Sequence, residues 1–298
     1  MPSRRHFLHT LAGTAAATAL AADDFRFRYL LSSSLFGKTK LTDLLPEVAK
    51  TGATHLDLWP LPHGDQREQA KELGNEAFGA LLARHSVKLG CITRYDLGPL
   101  RLADEMKWAG QFGAKTFVCG GHGPKGLKGE DLKAAIKKFA EEMKPHCAVA
   151  ESLGAQIAIE NHANGLMESP DSVRWLVEYA PSPALGIALA PYHLEQDEPS
   201  LAALIRECGK QLFVFYAWQH GKGSGQQPKE DELQQMPGRG PLDFGPLVGA
   251  LREIDYTGWT CIFMHPYPRG VAIAEGGPGA VTAEVNRART YLEAKLAG

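Results

Sequence analysis

Six histidines, His63, His122, His162, His193, His220 and His265, each follow the end of a short apolar run, and Glu160 closes one of those runs. In Ile157-Ala158-Ile159-Glu160-Asn161-His162 the two-residue period of an extended chain places Ala158, Glu160 and His162 on one side. A carboxylate ending an apolar strand is expensive to bury unless it is paired, protonated or bound to a metal. Beside imidazoles it can act as a general acid or base, or it can help to hold a divalent cation. The competing structural reading is a salt bridge from Glu160 to a Lys or Arg on the next strand.

Other strand ends add to the set. Trp259, Cys261, Phe263 and His265 share one parity, so His265 enters the same space above a filled layer. His193 ends another run through Ala190-Pro191-Tyr192, and Gln219 with His220 ends the next. Glu160, His193 and His265 are the candidate catalytic groups. Together with Gln219 and His220 they form a nitrogen and oxygen donor set suited to Mn, Fe, Co or Zn. Trp59 and Trp218 are placed to stack on a sugar ring, with core packing as the alternative. His122, His162 and Arg269 complete the candidate substrate contacts. Arg269, in His265-Pro266-Tyr267-Pro268-Arg269-Gly270, suits an anionic or polyhydroxyl ligand, whereas Arg94, Lys125, Lys222 and Arg239 read as a solvated rim.

Eight apolar runs alternate with amphipathic stretches and would bring these groups to one place. The runs are Arg28–Ser32, Thr54–Trp59, Lys88–Thr93, Thr116–Cys119, Gln156–Glu160, Leu185–Leu189, Leu212–Ala217 and Trp259–Met264. Such near-continuous hydrophobicity marks strands covered on both faces. Helical patterns lie between them, as at Arg67–His85, Leu132–Leu153 and Pro170–Tyr179, with Thr42, Ser169 and Thr282 as expected N-caps. Gly52, Gly113, Gly154 and Gly209 fall where helices should stop. Eight such units predict a single α/β domain, a closed (β/α)8 barrel, whose site forms at the carboxyl ends of the strands. An open doubly wound sheet is disfavoured because Ser32-Ser33-Ser34, not a glycine fingerprint, follows the first strand. The longest connection, Gln219–Asp243, is expected to form a lid or rim.

The chain has 298 residues, 44% hydrophobic and 22% charged, with a net charge of −2. That balance excludes the basic face a nucleic-acid binder needs, and no apolar stretch is long enough to span a membrane. Ser3-Arg4-Arg5-His6-Phe7-Leu8 precedes a weakly apolar run ending in Ala19-Leu20-Ala21, the pattern of a twin-arginine export signal with its cleavage site. Residues 1–21 are therefore read as an address for the twin-arginine machinery, and 22–298 as an exported, periplasmic or extracytoplasmic barrel. Removal of the address takes both arginines and no acid, moving the charge to −4. Five cysteines without a CxxC pair argue against a disulfide framework.

These residues resemble the sugar phosphate isomerase/epimerase superfamily of xylose isomerase-like barrels. The likeness is carried by Glu160-Asn161-His162, by Leu185 to His193, by Pro237-Gly238-Arg239-Gly240-Pro241-Leu242-Asp243-Phe244 and by Tyr256-Thr257-Gly258-Trp259. Tyr216-Ala217-Trp218-Gln219-His220-Gly221 and Phe263-Met264-His265-Pro266 resemble a secreted bacterial branch. The resemblance implies one divalent metal held by Glu, Asp, His and Glu on strands five to eight, and two opposed glutamates that move a proton beside a carbonyl. Glu160 matches the first glutamate and His193 a substrate-contacting histidine. Ala190 stands at the aspartate, Phe215 or Tyr216 at the metal-binding histidine, and Phe263 or Cys261 at the last glutamate. The implied function is an exported enzyme on a small carbohydrate, an isomerase or epimerase whose divalent metal has either moved toward Glu160, His193, Gln219 or His220, and His265, or been lost. The alternatives are a lyase or hydratase acting by β-elimination on keto-sugars or keto-glycosides, and a catalytically silent sugar-binding barrel.

Overall fold

Strands that are apolar on both faces need a cover on each, and closing them into a barrel with helices outside supplies both. The computed structural model describes residues 25–219, 229–265 and 273–296, and eight parallel strands there close into a barrel in chain order. The strands are β1 (Tyr29–Ser32), β2 (His55–Leu58), β3 (Lys88–Thr93), β4 (Thr116–Gly120), β5 (Gln156–Glu160), β6 (Leu185–Leu189), β7 (Leu212–Ala217) and β8 (Trp259–Ile262). The outer ring comprises α1 (Leu41–Val48), α2 (Gln66–Arg84), α3 (Ala103–Gly110), α4 (Gly129–Ser152), α5 (Pro170–Tyr179) and α6 (Glu198–Cys208). A single turn, α7 (Lys229–Glu232), precedes α8 (Gly245–Glu253) and α9 (Pro278–Ala294). Among the described residues no helix is long and apolar enough to cross a membrane.

The expected barrel is present, with differences at element ends that have local causes. β8 ends at Ile262, two residues early; beyond it the Phe263 N–H still donates to the Ala217 carbonyl at 3.3 Å, and the His265 N–H turns to the Gln235 side chain. α2 is broken at Gly74, whose φ of 78° is not helical. Ser169 caps α5 through a reciprocal capping box with Ser172. Thr42 and Thr282 are not caps: both lie inside helices, and the Thr282 hydroxyl donates to Glu47 at 2.6 Å. All five cysteines are buried free thiols. Of the Gln219–Asp243 connection, Gln235, Met236 and Leu242 are tied by hydrogen bonds to Trp218, Gln219 and His265 just beyond the ends of β7 and β8, forming part of a rim.

The amino-terminal end of the barrel is sealed by Trp259, whose indole N–H donates to the Thr116 hydroxyl at 3.2 Å. Arg28 lies over its face at 3.7 Å. Gly90 makes room for it: a Cβ there would stand 2.8 Å from Leu30 and 3.0 Å from both His55 and Trp259. Gly90→Val is expected to destabilise the fold by about 1–3 kcal/mol through overpacking, read as a lower denaturation midpoint. An unchanged midpoint would show that Trp259 is loosely held.

Candidate active site at the carboxyl ends of the strands

The chemistry of a (β/α)8 barrel lies where the strands end. A cavity of about 140 Å³ opens there, lined by Glu160, His162, His193, His265, Trp59 and Trp218, all read from the sequence, together with His63, Tyr95 and Phe263. A larger cavity of about 420 Å³ lies at the opposite, amino-terminal end around Arg28, His55, Lys115 and Trp259. Its position, away from the strand carboxyl ends, sets it apart from the site.

Glu160 is the last residue of β5, opposite Gly120 of β4 and Ala188 of β6, and only 3% exposed. Among the described residues its polar neighbours are Tyr95 and His193, not a Lys or Arg. The Tyr95 hydroxyl donates to Oε2, and His193 Nε2 lies 3.7 Å from Oε1. Burial pushes the Glu160 carboxyl up to about 8. The Tyr95 hydrogen bond opposes that shift, and the nearby charge of Asp57 adds to it. Burial and the neighbouring Glu160 hold the Tyr95 phenol well above its ordinary value, so it remains a donor.

The groups around Glu160 are held from behind. Asn161 clamps β5 to the end of β6: its amide donates to the Ala190 carbonyl at 3.0 Å and its oxygen accepts from the Ala190 N–H at 2.7 Å. That fixes the single turn Pro191–His193, which aims His193 at Glu160. His162 packs on His193 with ring centroids 4.0 Å apart and the planes tilted by 38°, and its Nδ1–H donates to the Ala163 carbonyl at 2.8 Å. Tyr192 lies flat on Trp218 at 3.9 Å and 4°. Phe263 meets the edge of Trp218 at 5.1 Å and stacks on Trp59 at 5.6 Å, completing an aromatic wall. Trp59 is pinned in turn by Asp57, whose carboxylate accepts from the indole N–H at 2.5 Å and from the Thr93 hydroxyl. Burial raises Asp57 to about 6, against those hydrogen bonds.

Several residues read from the sequence are not brought to this cavity. Gln219 is not placed as a ligand: its amide donates to the Met236 carbonyl and its oxygen accepts from the Leu242 N–H, both at 2.9 Å, so it ties down the rim. His122 is exposed and lines neither this cavity nor the one beside it. Arg239 pairs with Glu284, and Arg94 with Asp96 and Glu105, as structural ion pairs. His220, Lys222 and Arg269 lie outside the described residues. Among the described residues no three His, Cys, Asp or Glu side chains converge as metal ligands. Ala190 and Phe263, at the expected ligand positions, offer a methyl group and a ring. Among the described residues, then, the donors do not assemble a metal centre, and His220 lies outside them.

Three functional residues were missed. Tyr95 continues the parity of Cys91 and Thr93, which would have placed it in the mouth. Asp57 is a carboxylate inside an apolar strand, the same signal that singled out Glu160. Gln235 has no such signal, yet its side-chain oxygen accepts from the Trp218 indole and from the His265 N–H, both at 2.9 Å.

The fold and site define an α/β barrel with acid–base groups at its mouth. Residues 45–289 match the xylose isomerase-like TIM barrel family model, and the chain belongs to that family. Residues 1–21 match the twin-arginine translocation signal, so the chain carries an export address. Among solved structures, the IOLI protein with a bound zinc atom is 17% identical at a TM-score of 0.67, covering 87% of this chain and 98% of that one. D-psicose 3-epimerase in the presence of D-fructose is 14% identical at 0.66, covering 91% and 100%. The probable 3-DHS dehydratase AsbF from Bacillus anthracis is 13% identical at 0.63, covering 87% and 97%. These likenesses establish the shared barrel. No curated protein sequence matches.

A carboxyl that ionises near 8 when folded and near 4.5 when unfolded holds its proton more tightly in the folded state. Stability is therefore lost as pH rises through that interval. Asp57 contributes the same fall lower down, between 3.8 and about 6. The wild-type melting temperature should drop between pH 6 and pH 8, and Glu160→Gln should remove most of that drop. An equal drop in both proteins would contradict a carboxyl with a raised pKa.

Proposed function

We propose that the protein is an exported enzyme that moves a proton at a carbon beside a carbonyl of a carbohydrate, giving isomerisation or epimerisation. The observation that carries this reading is Glu160, a buried carboxyl raised to about 8, beside His193 in a cavity walled by aromatic rings. A base is most effective when its pKa lies near the working pH, and burial brings Glu160 there. Flat faces such as those of Trp59 and Trp218 suit the C–H faces of a sugar ring.

In the proposed step the ionised Glu160 takes the proton, the C–H bond breaks, and its electron pair moves into an enediolate. Return of that proton to the neighbouring carbon, with a proton passing from one enediol oxygen to the other, gives the isomer. Epimerisation requires that a second acid, an imidazole of the cavity, protonate the opposite face while Glu160 keeps the proton it took. Loss of an oxygen substituent from the next carbon, protonated by the imidazole of His193, gives elimination instead. That second reading is favoured by one feature: Glu160 is the single carboxylate lining the described mouth cavity. A two-glutamate mechanism has no second base there, since Phe263 occupies that place. The step is written without a metal, since among the described residues the donors do not converge.

Proton exchange with solvent deuterium, followed by NMR on keto-sugars, tests the reading. Glu160→Gln should slow exchange by about 10²–10⁴-fold. Because the base must be ionised, the wild-type rate should rise with pH to a plateau above about 8. Tyr95→Phe removes the bond that lowers this value, so the rise should move to higher pH. Sugar binding without exchange would instead establish the silent sugar-binding barrel. Exchange should survive dialysis against EDTA; a loss that Mn²⁺ or Co²⁺ restores would put a metal back into the mechanism.

A further inference from the structure

The mouth has a second lobe that proton transfer on one small sugar does not use. A cavity of about 230 Å³ shares Glu160, Tyr95, His63 and His162 with the aromatic one and extends over Gly120 and Gly121 at the end of β4. Residues 163–167, after β5, form its far wall. Glu160 thus stands at the neck between two lobes. Neither lobe alone reaches the ~300 Å³ at the lower end of small-molecule sites, whereas the two joined do.

The glycines explain why this lobe exists. Neither Gly120 nor Gly121 has a positive φ, so backbone strain does not require glycine at either place. A Cβ on Gly121 would meet Met167 at 2.7 Å, so its absence lets the 163–167 wall approach. A Cβ on Gly120 would meet the Tyr95 ring at an ordinary 3.6 Å, so any larger side chain there would occupy the lobe itself. Absent side chains keep the space open.

The side chains that line the two lobes differ. His193, the acid–base partner of Glu160, lines the aromatic lobe alone, as do Trp59, Trp218 and Phe263. The outer lobe presents the Gly120–Gly121 backbone and exposed Asn164 towards solvent. We propose, on the basis of the proton-transfer reading above, that the substrate is a carbonyl-bearing sugar glycosidically joined to a second unit. The reacting ring lies in the aromatic lobe, and the second sugar or aglycone lies over Gly120 and Gly121.

The test uses pairs that share a reacting ring and differ in the second unit. D-Fructose is compared with isomaltulose and lactulose, and methyl keto-glucopyranosides with the matching keto-cellobioses, by solvent deuterium exchange in the mature protein. The two-unit member of at least one pair should exchange at least tenfold faster per unit concentration. Gly120→Val should cut that preference at least fivefold, and Gly120→Ala, which meets Tyr95 at ordinary contact distance, should cut it less. One-unit sugars that exchange as fast as their partners, or a preference unaltered in a folded Gly120→Val protein, would overturn the two-lobe assignment while leaving proton transfer standing. Exchange in no sugar of either kind would overturn both.

Discussion

Glu160 sits 3% exposed at the end of β5 with no Lys or Arg paired to it among the described residues, and that single unfavourable placement organises the mouth of the barrel. A buried carboxylate without a compensating charge relieves the cost of desolvation by keeping its proton. The Tyr95 hydroxyl offsets part of that cost, and the nearby Asp57 charge increases it, so the carboxyl settles near 8 rather than at its ordinary 4.5. Had a lysine or arginine stood on β4 or β6, the same residue would be an inert ion pair. Gly120 and Ala188 stand opposite it instead.

The surrounding groups are held by amide clamps more than by charge. Where strands diverge at the mouth, backbone N–H and C=O groups leave the ladder and must find other partners. Asn161 satisfies both polar groups of Ala190, Gln219 bridges Met236 and Leu242, and Gln235 gathers Trp218 and His265. These clamps fix the angles of His193, Trp218 and the backbone of His265, while Asp57 fixes Trp59 from the barrel interior.

Much of this was legible in the sequence, for reasons tied to particular residues. β3, β5, β6 and β7 fall where the apolar runs place them, because strands buried on both faces carry a strong hydrophobic signal. Glu160 and His265 stand out because alternation assigns their side. Gln219 could not be assigned from sequence, because a side-chain amide at a strand end reads alike as ligand or clamp, and the structure makes it a clamp. His122 shows the same limit: a strand-end position does not say whether the chain turns inward. Tyr95 and Asp57 carried usable signals of parity and burial; Gln235, far along a polar connection, carried none.

The most direct measurement is the titration of the Glu160 carboxyl itself, followed by ¹³C NMR of protein labelled at glutamate Cδ and assigned with Glu160→Gln. Burial beside Tyr95 and Asp57 predicts a resonance that titrates near pH 8 and is missing from the variant. A Glu160 resonance that titrates near 4.5, like a solvated glutamate, would contradict the placement on which the site and its chemistry depend.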